Sequence, residues 1–249
     1  SNENNYLLAV SKDPQRDVYG IAYIDISTGE FWVTTALSKS TFIDEVEKIG
    51  AREILLPGGI EAQLFKDLLT VFVTALGHKE AEQQIKYVFG LVSLESIGID
   101  GIAPAWPAIA YITDYLVRTK KSISNLQKPR YYDATSTMMI NASTLRHLEI
   151  LQPLNNQGKA GSLLWIMDQT STPMGARLMR KWLLRPLYNA DMIAARHDVV
   201  DYLFGHQTQA RQLSKLLGNV NDLERLGIKI NNRTANPKDL IGLRTSLKD

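Results

Sequence analysis

The chain of 249 residues is 45% hydrophobic and 22% charged, which fits a soluble globular protein with a buried core in one large or two medium domains. It has no cysteine, which excludes disulfides and cysteine-ligated zinc, and no apolar run nears the roughly 20 residues that span a bilayer. The net charge of +2 joins an acidic stretch over 1–104 (8 Lys and Arg against 15 Asp and Glu, −7) to a basic remainder (20 against 11, +9), which points to two domains with different surroundings.

The polar start Ser1-Asn2-Glu3-Asn4-Asn5 has no basic-then-apolar leader and no initiator Met, so a piece of a longer chain is expected. Tyr6 to Val10 reads as a buried strand. Lys12 to Asp17 is polar with a proline, hence a turn. Val18 to Ile26 and Phe31 to Thr35 are rich in β-branched and aromatic residues, and Ser27-Thr28-Gly29-Glu30 joins them as a hairpin. Thr41 is the expected cap of a helix over 42–49, with Glu45 near the position of its capping-box partner. Glu53 to Leu56 reads as a buried strand closed by Pro57-Gly58-Gly59. A helix over 61–69, a strand over 71–75 and a helix over 79–88 complete an α/β pattern.

Gly98 through Pro107, with two glycines and two prolines, reads as a linker and places the domain boundary near 104. Beyond it strand signals nearly vanish. Ile109, Ile112, Leu116 and Val117 form an apolar stripe over 108–118, with Tyr115 beside it. Ser136 to Ile140 is expected to be extended. Helices are expected over 142–151, 161–167, 173–184, 189–204, 207–217, 221–230 and 237–247. Pro173 suits a first helical turn, Pro186 and Gly205 end helices, and Asp191 and Asp222 sit at helix starts where negative charge offsets the dipole.

Chemistry is sparse. A phosphate loop needs Gly-x-x-x-x-Gly-Lys-Ser/Thr. The nearest stretch, Gly158-Lys159-Ala160-Gly161-Ser162, lacks that spacing and reads as a loop with a helix start. His78, His147, His197 and His206 include no pair at ligand spacing on one helix. Asp25 sits in an expected central strand beside Glu30. Nucleases of the ribonuclease H type place an Asp on their first strand as a Mg²⁺ ligand, but they need three or four converging carboxylates. Glu53 and Glu61 are candidates that no spacing marks. Hydrogen bonding by Asp25 and Ser27 at the hairpin's mouth is the preferred reading. Phe31, Trp32, Trp106, Trp165 and Trp182 could stack on bases, yet Met174, Leu178 and Leu183 around Trp182 favour core packing. Arg177, Arg180, Lys181 and Arg185 then decorate that helix, free to snorkel, to pair with Asp168 or to approach phosphates. Solvated helix faces are the preferred reading of the scattered basic residues.

The run from Gly161 to Leu187 (GSLLWIMDQTSTPMGARLMRKWLLRPL) closely resembles the core-domain signature of the MutS mismatch-repair family. Asn141 to Ile150 resembles the helix that opens the same core, and Asp222 to Leu226 and Asn236 to Leu240 resemble its later helices, in the right order. Gly20 to Phe31 is similar to the hairpin of the family's connector. Asn141 stands where the family usually has Asp, and either residue caps a helix. The resemblance implies a ribonuclease H-like α/β connector without nuclease activity over 3–104. It implies the N-terminal part of an all-α core or lever domain over 105–249, incomplete here. It implies no catalytic, cofactor-binding or metal site in this stretch, and docking of a MutL partner on a connector surface within 3–104. Mismatched duplex DNA, ATP and Mg²⁺ would concern only the full-length dimer, since neither a Phe-x-Glu mismatch reader nor the nucleotide loop occurs here. A monomeric, cytoplasmic bacterial fragment, near the nucleoid when acting on DNA, is expected. The readings from other classes are a Mg²⁺-dependent ribonuclease H-like nuclease built on Asp25, and an autonomous nucleic-acid-binding module using the basic part.

Overall fold

The computed structural model describes residues 5–66, 68–119, 126–138, 140–155 and 158–248. The expected domain limits at 3 and 249, and Met139 within the expected extended stretch, lie outside the described residues. The chain divides into two compact units, one closing at Ala134 and the other opening at Thr135. No helix among the described residues is long and apolar enough to cross a membrane.

The first unit is built on a mixed sheet. Strands β1 (Tyr6–Lys12), β2 (Tyr19–Asp25) and β3 (Phe31–Ala36) form an antiparallel meander. Strand β4 (Glu53–Pro57) pairs parallel to β1, and β5 (Leu69–Val73) parallel to β4. A two-residue strand, β6 (Arg130–Tyr131), adds parallel to β3, giving the order β5-β4-β1-β2-β3-β6. Side chains alternate between faces, and both faces are covered. Leu7, Ala9, Ala22, Ile24 and Leu55 pack against helices α2 (His78–Phe89) and α3 (Trp106–Arg118). Leu8, Val10, Ile21, Tyr23 and Ile54 pack against α1 (Lys39–Ile49) and a 3-10 turn, Ala62–Phe65. Covering both faces is why the central strands read as apolar runs rather than alternating ones. Complete burial of Phe31 and Phe42 contributes roughly 2–3 kcal/mol each, so the two packed layers outweigh local propensity.

The expected elements are present with local shifts. Ser38, not Thr41, caps α1, and its hydroxyl accepts from the Thr41 N–H at 3.2 Å. Most of the helix expected over 61–69 is a four-residue 3-10 turn, because β5 begins at Leu69. Ile109, Ile112 and Leu116 are buried as the stripe requires, whereas Val117 is 52% exposed.

The largest difference concerns the expected linker. Residues 98–107 are not a spacer. Asp100–Ala105 is a 3-10 segment that runs into α3, with Leu94, Ile99 and Ala105 inside the core. Trp106 Nε1 donates to Ile99 O at 2.8 Å, and Ser11 Oγ donates to Pro104 O at 2.6 Å. Prolines and glycines here shape a packed turn over β2. The chain after α3 also returns to the sheet. Gln127 N–H donates to Gly29 O, Tyr132 N–H donates to Val33 O, and the Tyr132 hydroxyl donates to the buried Glu45 at 2.6 Å. Those bonds explain why the unit extends to Ala134 and not to 104.

The second unit is helical: α4 (Ala142–His147), α5 (Leu163–Met167), α6 (Pro173–Leu184), α7 (Ala190–Gly205), α8 (Gln207–Gly218), α9 (Leu223–Asn231) and α10 (Pro237–Lys248). A 3-10 turn occupies Ala134–Ser136, at the start of the stretch expected to be extended. Side-chain caps set the helix starts: Asn141 for α4, Ser162 for α5, Thr172 for α6, Asn189 for α7 and Asp222 for α9. Each accepts an otherwise unpaired first-turn N–H.

Candidate functional site

The three carboxylates that a nuclease reading needs do not converge. Asp25 ends β2, opposite Tyr6 at the start of β1, and is fully buried. Its Oδ1 accepts from Ser27 N at 2.8 Å and Ser27 Oγ at 2.5 Å. Asp25 shares the strand face of Ile21 and Tyr23, toward α1, whereas Glu53 shares the face of Leu55, toward α3. There the Tyr115 hydroxyl donates to Glu53 Oε1 at 2.5 Å. That hydrogen bond, with burial and charge adding to it, pushes the Tyr115 phenol up to about 12. Glu61 lies beyond the other end of β4, paired with Lys39 at 3.3 Å. The first strand carries no carboxylate at all. No group of three or more possible metal ligands gathers among the described residues.

A crevice of about 570 Å³ opens where the carboxyl ends of β1, β4 and β5 meet. Ser11 to Pro14, Pro57 to Ile60, and Ala75 to His78 line it, together with Pro107 and Tyr111. Tyr111 is buried, and its oxygen accepts the Leu76 N–H at 3.1 Å. Burial raises the Tyr111 phenol above its ordinary value, against the lowering effect of that N–H, so it keeps its proton at neutral pH. Asp13 Oδ1 accepts from the N–H groups of Gln15 and Arg16. Lys12 sits 3.6 Å from Asp17 and lies over the Tyr19 ring.

In the helical unit the principal polar feature is one that the sequence assigned differently. Arg177 of α6 is buried. Its Nη1 donates to Asp222 Oδ2 at 2.7 Å and its Nη2 to Asp222 Oδ1 at 2.9 Å. Nη2 also donates to Glu224. Asp168, one of the alternatives open to the basic residues of this helix, accepts from Thr170 N and Oγ1. The same Asp222 caps α9 by accepting from Arg225 N at 3.2 Å. Burial alone would raise the Asp222 carboxyl, but the Arg177 fork, the Arg225 N–H and the neighbouring positive charges hold it below the usual carboxylate value. A fork of this kind is geometrically selective as well as strong. Thr172 and Gly175 close the start of α6: Thr172 Oγ1 accepts from Gly175 N, and a Cβ at Gly175 would stand only 3.0 Å from that oxygen.

The aromatic candidates separate. Phe31 is core, Trp32 packs edge-on against Tyr132, and Trp106 is tied to Ile99. Trp165 is 57% exposed. Trp182 is not core within this unit. It is 40% exposed, as Leu178 is 46% exposed, and the Arg196 guanidinium covers its ring at 3.9 Å. The Ser162 hydroxyl donates to Lys159 O and accepts from Trp165 N, so the glycine-containing loop starts a helix. His78 opens α2, His147 closes α4, His197 lies within α7 and His206 follows it. Apolar surface remains exposed on both units, with Phe72, Tyr87 and Val92 on the first and Val200, Phe204 and Ile241 on the second.

Residues 5–130 match the family model of MutS domain II, and residues 143–249 match that of MutS domain III. The first match ends close to where the first compact unit closes. Relatives described as DNA mismatch repair protein MutS include that of Clostridium perfringens, 33% identical over 98% of this chain and 27% of the relative. That of Syntrophomonas wolfei is 36% identical over 98% and 30%, and that of Synechocystis is 33% identical over 99% and 30%. The chain thus spans less than a third of the length of these relatives.

Proposed function

The chain belongs to the MutS family, and from that premise we propose that it serves as a non-catalytic relay in a DNA mismatch-repair ATPase. In this reading the α/β unit is the connector that docks a MutL-type partner. The helical unit is the first part of the core, passing movement between mismatched duplex DNA and the ATPase in the full-length dimer. ATP and Mg²⁺ act only in that complete protein, in the cytoplasm. The observation that carries the reading is the α/β unit's divergent carboxylates: Asp25 and Glu53 face opposite sides of the sheet. A sheet so built offers surface rather than two-metal chemistry. Three antiparallel strands followed by two parallel ones support a ribonuclease H-like ancestry for it. The Arg177 fork to Asp222 supports a stiff helical relay, since it joins α6 and α9 by two bonds at fixed angles.

The test is a fluorescence titration of the chain with the MutL protein of the same source at moderate salt. Saturable binding is expected. It should be lost when glutamate replaces the exposed Phe72 or Tyr87 of the α/β unit, and kept when it replaces the exposed Phe204 of the helical unit. No saturation by about 50 µM would reject docking by this chain.

A further inference from the structure

We infer that the crevice at the carboxyl ends of β1, β4 and β5 is a binding site for a small organic anion, one phosphate or carboxylate group on an apolar body. This goes beyond the relay role and does not depend on it. The topology places the opening. From β1 the chain turns to β2 on one side, and from β4 it goes to β5 on the other. The β1–β4 boundary is therefore the point where connections diverge, by a hairpin from β1 and by the Ala62–Phe65 turn after β4, leaving a crevice outside the strand ends. Its volume of about 570 Å³ lies within the roughly 300–1,000 Å³ of small-molecule clefts.

The lining chooses the ligand's charge. Lys12, His78 and Tyr111 line the crevice, and all three carry donors, although the Lys12 ammonium also lies 3.6 Å from Asp17 and over the Tyr19 ring. Tyr111 carries the most specific signal. It is 4% exposed, its oxygen is occupied by the Leu76 N–H, and its own proton has no acceptor among the described residues. A buried donor of this kind is completed by an oxygen from outside the protein, of water or of a ligand. α2 also starts on this wall at Gly77-His78, where the Glu80 carboxylate accepts the Gly77 N–H at 3.0 Å and offsets the helix dipole. Asp13 is the one carboxylate on the wall, and its Oδ1 is held by two backbone N–H groups. The apolar body has Pro57, Ile60 and Pro107 to rest on. At Gly58 and Gly59 nothing stands within 4 Å of where a Cβ would be, and Gly59 has a φ of +92°, so the ligand can approach the backbone closely.

The experiment is isothermal titration of the 249-residue chain with adenosine monophosphate, benzoate and inorganic phosphate. One of the two organic anions should saturate with a Kd below about 1 mM, with inorganic phosphate about tenfold weaker or worse because it lacks the apolar body. Tight adenosine monophosphate would identify a phosphate head group, and tight benzoate a carboxylate. Lys12→Met and His78→Leu should each weaken that binding by about fivefold or more. Thermal melting of each variant alongside the parent chain separates this loss from unfolding. Tyr111→Phe should weaken binding as well. Binding unchanged in both of the Lys12 and His78 variants overturns the proposal. So does inorganic phosphate binding as tightly as the organic anions, or no saturation by either of them up to about 10 mM.

Discussion

Gly20 in β2 lies so close beneath Ala105 that a Cβ added to it would stand 2.3 Å from the Ala105 Cα. The Pro104 carbonyl and the Ser11 hydroxyl, each 2.4 Å from the same point, close the remaining space. Backbone cannot yield as a flexible side chain can. Gly20→Ala should therefore destabilise the α/β unit by about 3 kcal/mol, at the upper end of overpacking costs. Urea denaturation followed by near-ultraviolet circular dichroism reads this directly. An unchanged midpoint would mean that the 3-10 segment over β2 is not held against the sheet.

That contact also explains what the sequence hid. Proline and glycine in 98–107 carry the same composition whether the segment spans solvent or turns tightly over a strand, and only Gly20, far away in sequence, tells the two apart. The two-residue strand Arg130–Tyr131 has too few residues for any periodicity. The β1–β2–β3 meander and the helices from Pro173 onward were legible because their period and caps are local. Arg177 was not, because its partner lies 45 residues on. A buried arginine and a snorkelling one look alike in a helical pattern, and Asp222 was visible only as a helix start. The crevice left no sequence signal beyond Pro57-Gly58-Gly59, since its donors come from three separate segments.

The Arg177 fork predicts a graded response. Arg177→Met removes the forked bonds and leaves the half-buried Asp222 to Arg225 alone, which should cost about 3 kcal/mol. Arg177→Lys, which keeps charge but loses the fork, should cost about half as much. Hydrogen exchange is the suitable readout, with protection falling together in α6 and α9. Because the folded Asp222 carboxyl lies below its ordinary value of 3.8, its stabilisation is complete above that value. It is lost as pH falls through the lower folded value. Asp222→Asn should flatten that acid limb. Loss of protection confined to α6 would contradict a tie between the two helices.

Tyr115 and Glu53 give an alkaline counterpart. The phenol is raised from 10.0 to about 12, so the folded state favours its protonated form. The stabilisation is fully present below pH 10 and disappears as pH climbs through about 12. Discounted for solvent screening, its size is about 1 kcal/mol. Tyr115→Phe should remove that dependence. Tyrosinate absorbance during alkaline titration should show a step near pH 12 in the parent chain that the variant lacks. A missing step that instead falls near pH 10 would remove the Tyr115–Glu53 bond from the account.

Asp25 separates a structural carboxylate from a catalytic one. A metal-dependent nuclease needs converging carboxylates, yet β1 carries none and Glu53 faces the other side of the sheet. Asp25 instead spends Oδ1 on the Ser27 N–H and hydroxyl, fixing the turn that launches β3. Asp25→Asn should lower stability by about 1–2 kcal/mol by weakening two bonds to a charged acceptor. The parent chain with Mg²⁺ should leave single-stranded, duplex and hybrid nucleic acids intact. If Mg²⁺ supported cleavage that EDTA and Asp25→Asn both abolished, the hairpin role would be the lesser one, because weakening a turn does not by itself create a metal requirement. Asp25→Asn that destabilises the fold while the parent chain stays inert is the outcome that divergent strand faces require.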